Sequence, residues 1–228
     1  MKRIYRPTER PEDWKNLLAD EKHWKPGHSA YALAHCWEEA DGFPEDIKNV
    51  FNNSGITLFQ NIQPLLVVPE YRVPLPGGKR DSQNDIFVLA RVPSHLVSIM
   101  VEGKVSESFD KTVQEWQKDK GDGKEKRLIF LRETLSLESA SIDEIRYQLL
   151  HRTASALIVA AQFMAISALM LVHSFSQKDA GFDDYARFLE LFGLRKSSVS
   201  VNSVVHAKNI KGIDLYFGWV KGNEKYLG

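Results

Sequence analysis

Apolar and polar positions alternate along this chain with two different periods. From Ser29 to about Ala40, the residues Ala30, Leu33, Ala34 and Trp37 recur at helical spacing, and Gly42 and Pro44 follow as a stop. That pattern predicts an amphipathic helix with Ser29 as N-cap. Glu38 and Glu39 fall at its C-terminal end, where carboxylates oppose the helix dipole, so they form a solvated helix end or one of them faces a metal site. Three strands are expected next. Leu65–Val73 is apolar but holds Pro69 and is bracketed by Pro64 and Pro74, the mark of an irregular or edge strand. Asp85–Val92 and Leu96–Val105 are separated by the turn signal Pro93-Ser94-His95. Helices are expected near Lys126–Leu135 and from Ser141, which precedes Glu144 at capping-box spacing, to about Ala161. A core strand, Leu169–Phe175, leads to a helix, Asp183–Phe192, closed by Gly193. Val201–His206 and Ile213–Val220 then make a hairpin around Lys211-Gly212.

No repeat, low-complexity tract or long linker interrupts this order, so a single domain over residues 1–228 is expected. Residues 1–27, with Pro7, Pro11 and Pro26 around a helical patch near Asp13–Glu21, are expected to pack on the outside of the core as an extension. Residues 200–228 form a C-terminal hairpin. The fold class that follows is α/β, a mixed sheet flanked by helices.

Composition narrows the function. The 228 residues carry 30 Lys+Arg against 30 Asp+Glu and are 43% hydrophobic, enough for a sizeable core. Charge balance excludes a protein that grips nucleic acid by net charge; any such grip must be local. Cys36 is the single cysteine, which excludes an internal disulfide and a multi-cysteine zinc site and suggests a reducing, cytoplasmic setting. Met1–Glu21 lacks the apolar core of a secretory signal. Residues 153–177 carry no charge, but Ser155, Gln162, Ser167, His173 and Ser174 interrupt them. A core helix running into a core strand, not a membrane span, is expected.

The chemistry concentrates on the second and third strands. Glu102 and Lys104 are two apart, so in a strand they share a face, yet their neighbours are apolar. A symmetric turn about Pro93-Ser94 sets Arg91 across from Leu96 and, further along, Asp85 across from Glu102. Opposed Cβ atoms lie about 4.5–5.5 Å apart, and two carboxylates that close share a proton or bind a cation. Oxygen ligands of this kind suit Mg²⁺ or Mn²⁺, and Lys104 can orient a water or stabilise developing charge.

Asn84-Asp85 followed by Glu102-Gly103-Lys104 resembles the PD-(D/E)XK, restriction-endonuclease-like nuclease superfamily, with asparagine where the motif has proline. The element order from Ser29 to Phe175 fits that family's α-β-β-β-α-β core. The stretches SQNDIFVLAR, VEGKV, RYQLLHRTASA and LVHSFS are similar to a bacterial domain family of unassigned activity. The resemblance implies Asp85 and Glu102 as metal ligands, the Gly103 carbonyl as a further ligand and Lys104 as the water-positioning base. It also implies that Glu38 or Glu39 completes the site and that the protein works as a homodimer. The activity implied is Mg²⁺-dependent cleavage of DNA. The alternatives are an inactive scaffold of the same fold that binds a protein or nucleic acid, and an enzyme acting on a small phosphate ester.

Other residues support or compete. Gln148, Arg152 and Ser155 fall on one helical stripe and either face the site, holding a phosphate or the Glu102 carboxylate, or form an ordinary polar face. Lys79 and Arg80, after Pro76-Gly77-Gly78, are candidates for contact with a nucleic-acid backbone. The run Lys118, Lys120, Lys124, Lys126 and Arg127 is interleaved with acids and reads as solvated surface. His151 and His173 read as core histidines, and Cys36 as buried. Gly27-His28-Ser29-Ala30-Tyr31 lacks the last glycine of a nucleophile elbow, and no Walker loop or HExxH occurs.

Overall fold

In the computed structural model, which describes residues 8–18, 20–78, 80–119 and 121–228, six strands form one open sheet. They are β1 (Gln63–Val73), β2 (Ser82–Arg91), β3 (Leu96–Lys104), β4 (Ser167–Ser174), β5 (Ser203–Ile210) and β6 (Ile213–Lys221), in spatial order β1-β2-β3-β4-β6-β5. The β1–β2, β2–β3 and β5–β6 pairs are antiparallel; β4 lies parallel to β3 and to β6. The helices are α1 (Ser29–Glu39), α2 (Glu45–Asn53), α3 (Thr57–Gln60), α4 (Val113–Trp116), α5 (Asp122–Leu135), α6 (Tyr147–Gln162) and α7 (Phe182–Glu190). The expected mixed α/β sheet with flanking helices and a C-terminal strand pair is present.

Strand alternation sorts the core into two layers. Phe87, Met100, Met170 and Phe217 pack with α5, α6 and α7 through Leu131, Leu150, Ala154 and Phe188. Ile86, Ile99, Val101 and Leu171 pack the other way, on α1, α2 and α3 through Leu33, Trp37, Ile47, Phe51 and Phe59. β4 is buried along its whole length, as the uncharged run at 153–177 requires. Among the described residues no helix is long and apolar enough to cross a membrane.

Several ends differ from expectation for local reasons. Ser29 is the first helical residue of α1 rather than its cap: the Glu107 carboxylate accepts its N–H at 2.9 Å, a capping anion supplied from beyond β3. α6 begins at Tyr147, not Ser141, because the backbone there is taken: Val113 N–H donates to Ile145 O and Tyr147 N–H to Lys111 O. The region near Asp13–Glu21 is two short 3₁₀ turns, with Trp14 buried against the core. α2 and α3 were not expected; α2 follows Pro44, opens on Glu45 and Asp46, and buries Ile47, Val50 and Phe51. The C-terminal hairpin turns at Lys211 and Gly212, both at positive φ, as a two-residue primed turn demands.

Candidate functional site

The β2–β3 ladder starts at Arg91–Leu96 and stops at Ile86–Val101. That register is the one the turn arithmetic predicts, and carried one step further it sets Asp85 opposite Glu102. There the strands part. β2 continues along β1 to Ser82, and β3 continues along β4 to Lys104. The Asp85 carboxylate bridges the gap, accepting the Gly103 N–H at 2.7 Å. Asn84, fully buried beside it, donates its amide to Tyr71 O and Ser82 O, which holds the end of β1 to β2. Gly103 has no room for a side chain, since a Cβ would stand 2.3 Å from Leu33 Cδ1 of α1. The glycine between Glu102 and Lys104 thus lets α1 pack against the back of the site.

Glu102 is 2% exposed and Lys104 4%. Glu102 Oε1 accepts from Lys104 Nζ at 2.9 Å and from Gln148 Nε2 at 2.7 Å, and Gln148 Oε1 in turn accepts from Lys104 at 3.0 Å. Lys104 also donates to Ser108 O and lies 4.8 Å above the Phe109 ring. Glu102 Oε2 accepts from Arg152 Nε at 2.5 Å, and Arg152 Nη2 lies 3.8 Å from Asp85 Oδ1. The stripe of Gln148 and Arg152 therefore faces the sheet and not solvent. Ser155, the third member, bonds to Ser82 Oγ at 3.0 Å.

A third carboxylate escaped the sequence. The register that pairs Pro69 with Ile86 and Tyr71 with Asn84 sets Glu70 across from Asp85. Glu70 has a positive φ of 52°, uncommon for a residue with a side chain, and accepts from Gln83 Nε2 at 2.5 Å. No signal locates it in advance, because the connection from β1 to β2 is too long to define a register.

The charges divide unevenly. Burial, then repulsion from Glu102, hold the Asp85 carboxyl well above the ordinary range, against the pull of Arg152. Burial also opposes ionisation of Glu102, but Arg152 and then Lys104 outweigh it and keep its pKa below the usual value. Burial lifts Glu70 to about 7 despite the Gln83 hydrogen bond and Arg152. Three carboxyl groups thus meet two basic side chains, Lys104 and Arg152, and the Asp85 side chain is 23% exposed. Ser82 Oγ lies 2.8 Å from His151 Nδ1, and burial, with Arg152 next, keeps that imidazole neutral by lowering its pKa.

Other expected members do not join. α1 packs on the opposite face of the sheet, so Glu38 cannot complete the Asp85–Glu102 pair; it accepts from Thr8 Oγ1 and, at 2.6 Å, from Trp14 Nε1. Glu39 pairs with Lys225 at 2.7 Å. Arg80 is exposed beside its loop, and Lys79 lies outside the described residues. Arg127 is not solvated surface: it is 8% exposed and donates to Leu75 O, Pro76 O and Arg80 O, clamping the Gly77-Gly78 loop onto α5.

Two further features lie away from this cluster. A cleft of about 490 Å³ opens on the α1 side, between Trp14, Glu38, Asp41 and β1. Cys36, Asp46 and His173 hold ligand atoms within 4.8 Å of one another. Trp37 Nε1 can only donate, so His173 Nδ1 accepts it at 3.3 Å and Nε2 carries the proton toward Asp46 at 3.1 Å. Both ring nitrogens are thereby used, and burial drives the Cys36 pKa up, away from a metal-binding thiolate. The trio ties β4 to α1 and α2.

A family model described as a domain of unknown function (DUF6946) matches residues 7–224 of the chain. No curated protein and no solved structure matches it.

Proposed function

We propose that this chain, which belongs to the DUF6946 family, is a Mg²⁺- or Mn²⁺-dependent phosphodiesterase acting on DNA. One observation carries the reading: where β2 and β3 part, the Asp85 and Glu102 carboxylates converge on one guanidinium, Arg152, with Lys104 bonded to both Glu102 and Gln148. The donor set, the carboxylate oxygens of Asp85 and Glu102, is of the hard-oxygen kind that a divalent Mg²⁺ or Mn²⁺ takes. The Gly103 carbonyl suits a third position, because its N–H already points toward Asp85 and the two groups of a strand residue point the same way. Such an ion polarises a phosphoryl oxygen and lowers the pKa of a bound water.

The chain's own residues supply the rest. Gln148 bonds to both Lys104 and Glu102, so the ammonium is held beside the Glu102 carboxylate, where it can orient a water or stabilise developing charge. Arg80, on the exposed loop before β2, is a candidate for contact with a phosphate at the mouth. The lone buried thiol, Cys36, suits a reducing compartment such as the cytoplasm. Incubation of the protein with single-stranded, duplex and branched DNA tests the reading. Cleavage that needs Mg²⁺ or Mn²⁺ and disappears in Glu102→Gln supports it; cleavage that persists in Glu102→Gln contradicts it.

A second reading, a non-catalytic scaffold that binds a protein or nucleic-acid partner, is favoured by one observation. Arg152 already sits between Glu102 and Asp85, so the carboxylates have a cation without any metal.

A further inference from the structure

Arg152 reaches from α6 into the space between the two acidic residues. Its Nε lies 2.5 Å from Glu102 Oε2, its Nη2 3.8 Å from Asp85 Oδ1 and its Nη1 3.4 Å from Ser82 Oγ. A divalent ion held by the carboxylates of Glu102 and Asp85 would compete for the position the guanidinium occupies, since the same Glu102 Oε2 and Asp85 Oδ1 are Arg152's partners. The two oxygens of Glu102 are thus divided between partners of different kinds. Oε1 is held by Lys104 and Gln148, which an ion at Oε2 leaves undisturbed. Oε2 is held by Arg152, and an ion must take that contact over.

We propose that Arg152 is an internal cation that neutralises the Asp85–Glu102 pair in the metal-free protein, and that a divalent ion binds in exchange for it. The inference rests on the phosphodiesterase reading for the identity of the ion. α6 itself need not move. Gln148, one turn before Arg152, stays on Glu102 and Lys104, and Ser155, one turn after, stays on Ser82. Only the arginine side chain turns, and an acceptor lies beside it. Ser82 Oγ is already near, 3.4 Å from Nη1. Leaving Glu102, the guanidinium becomes available to a phosphate, for which its planar fork of donors is suited.

The test is calorimetric titration with Mn²⁺ alone. Arg152→Gln is expected to bind at least tenfold more tightly than the wild type, and the gain is expected to vanish in Arg152→Gln/Asp85→Asn. Equal or weaker binding by Arg152→Gln overturns the exchange. Binding by Arg152→Gln with none by the wild type upholds the exchange and sinks the metal-dependent activity of the natural chain. Binding by neither sinks both. Arg152→Gln removes a buried partner of Glu102, so the wild type supplies an independent measurement. The Nε–H resonance of Arg152, protected from solvent exchange in chelator, is expected to shift and lose protection as Mg²⁺ is added. A resonance unchanged at saturating Mg²⁺ overturns the proposal.

Discussion

Gly103 donates its N–H to the Asp85 side chain at 2.7 Å, at the rung where β2 leaves β3. A carboxylate that replaces a rung of the sheet has two jobs, one structural and one electrostatic, and substitution separates them. Asparagine keeps an acceptor oxygen for Gly103 and removes the charge that burial and Glu102 disfavour. Asp85→Asn is therefore expected to melt at or above the wild-type temperature near neutral pH. Asp85→Ala, which orphans the N–H, is expected to lose about 1–2 kcal/mol. Thermal melts of the two variants check this, and an Asp85→Asn as unstable as Asp85→Ala contradicts it.

Gly103→Ala would put a Cβ 2.3 Å from Leu33 Cδ1 and 3.3 Å from Ser29 Cβ. The substitution is expected to cost about 1–3 kcal/mol by overpacking α1 against β3. In a Leu33→Ala background the same change is expected to cost less, a coupling that a double-mutant cycle in urea measures.

Glu70 sets a pH dependence whose sign follows from its position. Its folded-state pKa is raised from 4.5 to about 7, so between those values the unfolded chain has released a proton that the fold retains. Stability is therefore lost as pH rises through that window. Glu70→Gln removes this loss and is expected to gain on the order of 2 kcal/mol over wild type above the window, with little difference below it. Denaturant midpoints across the range decide the matter; a Glu70→Gln that gains nothing at high pH contradicts the burial of this carboxyl.

Glu102 is the shared anion of Lys104 and Arg152, both buried. Glu102→Ala leaves two cations without it and is expected to cost about 3–5 kcal/mol. Glu102→Gln keeps an oxygen for the donors and is expected to cost less, which is why it serves as the control for cleavage. Equal losses in urea would mean that charge, not hydrogen bonding, holds the cluster.

The central pair was legible because little separates its strands. The turn at Pro93-Ser94-His95 is short and the ladder from Leu96 to Val101 has no bulge, so counting residues places Asp85 across from Glu102. Counting fails at β1, where a bulge lies between Pro64 and Leu66 and a long connection precedes Ser82, and Glu70 was missed for that reason. Helical spacing put Gln148 and Arg152 on one stripe, but whether that stripe meets the sheet or the solvent depends on packing. The misplacement of Glu38 has the same origin. Periodicity shows that α1 has an apolar face without showing which side of the sheet that face covers, and the gap left by Gly103 is filled from the side opposite Glu102. α2 was hidden because only Ile47, Val50 and Phe51 interrupt an otherwise polar segment.

The most direct measurement is a calorimetric titration of the wild type and of Asp85→Asn with Mn²⁺. The expected result is saturable binding to the wild type that is lost in Asp85→Asn while the variant remains folded. Binding of equal strength to both, or no binding to the wild type, would contradict a metal centre at Asp85 and Glu102.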